Sequence, residues 1–201
     1  MRAVRVVQIA LALIGIAALA YGAAVLIEAR IYQAKAAREL AQLRGQRKGA
    51  VVKRKLPAPR NGDTIGRLEI PRLRLSVMFV EGADAGDLRR AAGHIPGTAL
   101  PGQEGNIGIA GHRDTFFRSL RGVKLGDTIT LETTTGEWRY RVVSLRVVKP
   151  EDVAVLDATH RDALTLVTCF PFHFIGAAPK RFVIRAERLA DRAVIPTVPR
   201  I

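Results

Sequence analysis

The chain has 201 residues and a formal net charge of +14, with a single cysteine and four histidines. That length allows one ordinary domain plus an extension, and one cysteine excludes an internal disulfide and any Cys-x-x-Cys metal or redox motif. The charge does not mark a nucleic-acid binder, because residues 1–27 carry +2, residues 28–60 carry +8 and residues 61–201 only +4.

The first element in chain order is "VVQIALALIGIAALAYGAAVLI", residues 6–27, without a charged side chain. As a helix it spans about 33 Å, enough to cross the hydrocarbon core. A cleaved signal peptide is the competing reading, and Ala18-Leu19-Ala20 offers a cleavage site. The run continues to Ile27 without a polar break, which favours an uncleaved anchor. Basic residues flank both ends, so the positive-inside rule does not orient it. "EARIYQAKAARELAQLRGQRKG" (28–49) continues as a helix expected to end near Gly45 or Gly49. Its charges read as a solvated face or a surface resting on anionic lipid headgroups. The Pro-punctuated residues 50–63 read as a linker.

Beyond residue 64 the pattern is mostly strand. "IGRLEI" and "LRLSVM" flank Pro71, and "DAGDLRRAAG" (84–93) reads as a short helix. "GNIGIAG" (105–111) is a buried strand, and its glycine spacing is no phosphate loop, since no lysine and no long helix follow. "DTFFRSL" (114–120) suggests one or two helical turns. Residues 127–133 and 136–148 form a hairpin, and 163–170 and 181–187 are two more strands. Six to eight strands with little helix predict a closed or nearly closed β-barrel. Residues 149–162 form a long rim connection, and a barrel edge beside it offers a groove for an extended peptide.

His112-Arg113-Asp114 imitates a kinase catalytic loop, but the asparagine expected five residues on is Ser119, and no Asp-Phe-Gly occurs. The chemistry instead points to Cys169, at the end of an apolar strand and before a Pro- and Gly-containing loop. A buried inert thiol is the commoner fate of a lone cysteine. With ordinary pKa values near 8.5 and 6.5, only about 1% of Cys–His pairs would hold the proton on imidazole, so a nucleophilic thiolate needs a nearby positive charge. His112 ends a buried strand and ranks first as partner, His173 second, while His94 and His160 are expected to be solvated. An oxyanion stabiliser is also required. Arg181 returns near Cys169 if loop 170–180 folds back. Lys180 and Arg185 compete, and strand period leaves the choice open because Arg181 and Arg185 share a face.

Three separated motifs, "NIGIAGHRD", "LTLVTC" and "APKRFVIRA", resemble the sortase family in order and context over residues 64–188. Proline two after the cysteine and Gly-x-Ala-Pro before the arginine are most similar to class D sortases. The resemblance implies a transpeptidase on an eight-stranded β-barrel with catalytic Cys169, His112 and Arg181 and with Thr168 near the oxyanion. It implies cleavage of an LPxTG-like sorting signal through a Cys169 thioester, then transfer to an amine of the cell wall or another protein. A hydrolytic relative and a pilin-polymerising one remain alternatives, and a binding module with a structural Cys169 is the non-enzymatic one. It further implies a cytoplasmic N-terminus (1–5), an anchor in membrane lipid (6–27), a basic helical stalk and linker (28–63), an extracytoplasmic catalytic domain (64–188) and a tail (189–201). No cofactor and no metal are expected. Glu151, Asp152 and Asp157 are too sparse for more than weak Ca²⁺ binding.

Overall fold

The computed structural model describes residues 2–47, 58–174 and 176–189. Most of the expected linker (residues 48–57) and the tail beyond residue 189 lie outside the described residues. One helix, α1 (Arg2–Arg47), contains both the apolar segment and the stalk. Its N-terminal part is long and apolar enough to cross a membrane. The strands are β1 (Thr64–Ile70), β2 (Leu75–Glu81), β3 (Ala92–His94), β4 (Asn106–Ala110), β5 (Thr128–Thr133), β6 (Glu137–Val148), β7 (Ala163–Phe170) and β8 (Lys180–Arg188). A short helix α2 (Ala85–Arg90) connects β2 to β3. The strands close in the order β1-β2-β3-β4-β7-β8-β6-β5. The barrel is filled by Leu68, Phe79, Ile107, Ile109, Leu131, Tyr140, Leu164, Leu166 and Ile184, all at most 1% exposed.

Three expectations need correction. The helix expected over 84–93 stops at Arg90, where Ala91 turns extended. The next residues form β3, parallel to β2 and antiparallel to β4. Gly93 permits this, because a Cβ there would lie 2.3 Å from the carbonyl oxygen of Gly82. His94 is therefore buried, not solvated: it is 2% exposed, with Nδ1 2.7 Å from Glu81 Oε2 and Nε2 3.0 Å from the Ala99 carbonyl. The closed barrel has no free edge, so a groove must lie on the outer face of strands.

The stalk docks on the barrel through a narrow face, while its charges at Glu28, Arg30, Lys35, Arg38 and Glu39 stay exposed. Ala36 and Leu40, each 3% exposed, pack on Met78 of β2. Gln33 Oε1 accepts the Met78 N–H at 2.7 Å, and its Nε2 donates to the Arg90 carbonyl at 2.9 Å. Farther on, Arg44 pairs with Glu132 of β5 at 2.6 Å. Met78, Arg67 and Glu132 form one cross-strand row, so the helix crosses the wall β2-β1-β5 rather than running along a strand. This covering explains why β2 is buried on both faces over Val77–Val80.

Candidate active site

β7 is the strand that organises the site. Leu164 and Leu166 point into the core, so alternation turns Thr165, Val167 and Cys169 to the outer face. On β8, Ile184 and Ala186 point inward, which turns Arg181, Val183 and Arg185 outward. The antiparallel register then decides between the two arginines. Cys169 lies directly opposite Arg181, whereas Arg185 lies opposite Thr165. Four residues along a strand is about 13 Å, which separates Arg185 from the thiol.

His112 arrives from β4, which runs parallel to β7 with Ala110 opposite Val167. The Gly111 N–H donates to the Val167 carbonyl at 3.1 Å, continuing the pairing past the strand end. Two residues beyond the last pair, the same register brings His112 alongside Cys169. Gly111 is needed here: a Cβ would lie 2.6 Å from the Phe117 ring, which packs beneath the strand end. The chain then folds back, the Phe117 N–H donating to the His112 carbonyl at 3.0 Å.

His112, Arg113, Asp114, Cys169, Gly176, Ala177, Ala178 and Arg181 together line a cleft of about 350 Å³. His112 and Cys169 are both half-buried there. Arg181 Nη1 donates to the carbonyls of Ala178 and Lys180 at 3.2 and 3.1 Å. Its Nε and Nη2 make no hydrogen bond among the described residues. Thr168 faces the other way: it is 3% exposed, and its hydroxyl donates to the Gly111 carbonyl at 2.7 Å. His173, the second-ranked partner, is exposed on the loop after β7 and does not line the cleft.

Asp114 neither caps the 3-10 turn at Arg118–Gly122, whose N-cap is Phe117, nor makes a hydrogen bond to His112 among the described residues. It is 71% exposed, with Oδ1 3.4 Å from Arg113 Nε. Arg113 is the member of the triplet that sequence reasoning passed over. It is 6% exposed and donates to the carbonyls of Pro171, Phe174 and Gly176. No spacing rule distinguishes such a residue from a surface arginine.

The rim connection is strapped onto the outer face through a 3-10 turn at Val153–Leu156. The Val155 carbonyl accepts from Asn106 Nδ2 at 3.3 Å and from Arg185 Nη2 at 3.2 Å. Thr165 Oγ1 donates to Asn106 Oδ1 at 2.7 Å. Burial holds the Arg185 guanidinium below the usual arginine range, with the nearby Arg146 adding to the effect. Arg185 thus serves the strap and not the thiol. Among the described residues, no three His, Cys, Asp or Glu side chains gather as a metal site.

Comparison with known proteins agrees with this architecture. The Sortase domain family model matches residues 68–189. The chain is 37% identical over 132 residues to Sortase D of Bacillus subtilis, covering 65% of this chain and 67% of that protein. It is 33% identical over 129 residues to Sortase SrtE1 of Streptomyces coelicolor, covering 55% of this chain but only 37% of the relative. A Clostridium perfringens Sortase D5 transpeptidase structure superposes with a TM-score of 0.68 at 26% identity, covering 79% of this chain and 99% of that one. Clostridium perfringens sortase C, solved with the C-terminal cell wall sorting motif, shares the fold at a TM-score of 0.61 and 24% identity, over 77% of this chain and 88% of that one. Since the family match spans more than half of the 201 residues and the barrel agrees with it, the chain belongs to the sortase family of cysteine transpeptidases.

Proposed function

We propose that the protein cleaves an LPxTG-like C-terminal sorting signal through a Cys169 thioester and transfers the acyl group to an amine. The observation that carries this reading is the direct cross-strand pairing of Cys169 with Arg181 in a cleft that His112 also lines. A nearby cation lowers the energy of a thiolate, and here one sits opposite the sulfur.

In the first half-reaction the Cys169 thiolate attacks the carbonyl carbon of the Thr–Gly-type bond. Arg181 donates to the oxygen as it becomes negative, using N–H groups not bound to the loop. The C–N bond breaks, and the His112 imidazolium gives its proton to the departing amine. The acyl group is left on sulfur as a thioester. In the second half-reaction an incoming amine attacks the thioester and neutral His112 takes its proton. Cys169 leaves as thiolate, and the Cys–His pair returns to its starting state. Thr168 acts by position: its hydroxyl ties the residue before the cysteine to the residue before the histidine. An extended sorting peptide reaches the cleft along the outer face of β7 at Val167 and Cys169, beside the strapped connection 149–162 that covers Asn106 and Gly108 of β4. The solved sortase C with a sorting motif supports this class of substrate for the fold.

The layout that accompanies this activity is a cytoplasmic N-terminus at 1–5, an anchor at 6–27, a stalk and linker at 28–63, an extracytoplasmic catalytic domain at 64–188 and a tail at 189–201. The amine nucleophile is a cell-wall precursor or a protein lysine. Mass spectrometry of the protein mixed with a peptide library varied around Leu-Pro-x-Thr-x tests the chemistry. A covalent acyl-enzyme on Cys169 is expected, with none in Cys169→Ala. Processing by the alanine variant would sink the proposal. Products with and without added amine then separate transfer from hydrolysis.

A further inference from the structure

His112 and Cys169 belong to different strands, and their chemistry requires registry finer than strand packing alone provides. The structure ties the residues on both sides of each. Gly111 is joined to Thr168 by the hydroxyl bond at 2.7 Å and to Val167 by the main-chain bond at 3.1 Å. On the other side of His112, the buried Arg113 guanidinium reaches the chain that follows Cys169. Nη1 donates to the Pro171 carbonyl at 2.9 Å, and Nη2 donates to those of Phe174 and Gly176 at 2.5 and 3.2 Å. The Phe174 ring lies 5.9 Å from the guanidinium carbon.

All three acceptors are neutral carbonyls from a single loop. Two of that loop's next residues, Ala177 and Ala178, line the cleft. The one carboxylate nearby, Asp114, is 3.4 Å from Nε and 71% exposed, so water screens it. Nε itself is buried without a hydrogen bond. A planar fork can gather three carbonyls at fixed angles, whereas a lysine ammonium is a point charge on a flexible stem.

We propose that Arg113 is a positioning residue for the Cys169–His112 pair. It fastens the strand end that carries His112 to the loop that follows Cys169, and it completes with Thr168 a two-sided bracket around the reacting groups. The inference rests on the reading of Cys169 and His112 given above, and it adds a residue that touches neither substrate nor sulfur.

The test uses the full chain in detergent, as wild type, Arg113→Lys and Phe174→Ala. Two quantities are read: steady-state turnover of a peptide that forms the acyl-enzyme, and the pH profile of Cys169 alkylation by iodoacetamide, which needs no peptide. Arg113→Lys, folded by near-UV circular dichroism, is expected to lose about 10- to 100-fold in kcat with KM within about threefold. Its alkylation profile is expected to move toward that of a free thiol, as the imidazole loses its alignment. A raised KM with an unchanged alkylation profile assigns Arg113 to peptide binding and overturns the proposal, as does a folded variant with kcat within about threefold of wild type. If Arg113→Lys does not fold, Phe174→Ala decides. Loss of the ring over the guanidinium should shift kcat and the profile in the same direction by a smaller factor, and no shift overturns the proposal. If wild type processes no peptide, the sorting-signal reading fails while the alkylation profile still decides the role of Arg113.

Discussion

The two opposite walls of the barrel use arginine in different ways. On the wall β2-β1-β5, and at its ends, arginines meet carboxylates: Arg44 and Arg67 with Glu132, Arg72 with Asp127, Arg90 with Asp87. Four places round the ring from β1 lies β7, with β8 beside it. There, at the cleft end, Arg113, Arg181 and Arg185 bind main-chain carbonyls, with Arg113 also 3.4 Å from the exposed Asp114, while the Arg188–Asp162 pair lies at the far end of the same strands. A carboxylate cancels the guanidinium charge, whereas a carbonyl fixes its position and leaves the charge in place. The first wall is built to hold α1. On the proposed mechanism the second holds guanidinium groups beside the place where a thiolate and an oxyanion form. The contrast also explains the docking of the stalk, which covers the wall farthest from the cleft and leaves the cleft open.

The contrast breaks most sharply at Arg181. Arg181→Ala is expected to slow single-turnover acyl-enzyme formation by about 10²- to 10³-fold, in line with the loss of one oxyanion donor. Arg181→Lys should fall between, keeping the charge but not the fork. A loss below about tenfold would show that the carbonyl-held arginines do not supply the field.

On the carboxylate side the effects should appear in stability and not in turnover. Asp127 receives Arg72 Nε and Nη2 at 2.5 and 2.6 Å and the Lys124 N–H at 2.9 Å. The Arg72 hydrogen bond is the largest cause holding its carboxyl below the usual range, against the opposing effect of burial. Asp127→Asn should cost about 1–3 kcal/mol in urea unfolding at pH 7. The folded-state pKa lies below the unfolded value of about 3.9, so the contribution is complete above that value. It fades as pH falls through the folded pKa, and the gap between wild type and variant should close in acid. A gap that persists there would mean that packing, not the ion pair, holds the site. The smallest expected effect is at the stalk. Gln33→Ala should cost about 1 kcal/mol, speed hydrogen exchange at the Met78 amide and leave turnover of a short peptide within about twofold. Unchanged exchange at Met78 would undo the docking argument.

Most strands were legible because β1, β5 and β6 keep an outer face open enough to show as alternation, while β4 and β7, covered on both faces over most of their length, show as apolar runs. β3 was not, because three residues are too few to show a period and because Gly93 reads as a helix stop. His94 followed it into error. The docking of the stalk left no signal for another reason: Gln33, Ala36 and Leu40 make a narrow stripe among charges, and a helix with that composition is stable in solvent as well. Cys169 and His112 were legible as strand-end residues, whereas strand period left Arg181 as one of two arginines on a face and only the motif resemblance singled it out. Arg113 gave no signal, since only its burial sets it apart from an arginine on the surface.

The sequence by itself determined what is local along the chain. That includes the apolar segment, the order of strands, the polar rim connection and the three motifs that carry the family resemblance. Only the tertiary structure decided that Arg181 and not Arg185 faces the thiol, that Arg113 turns inward while Asp114 stays in water, and that α1 lies against the barrel. The physical reason is that periodicity follows from the covalent geometry of one strand. Register between strands is set by the barrel's closure and core packing, which no single segment encodes.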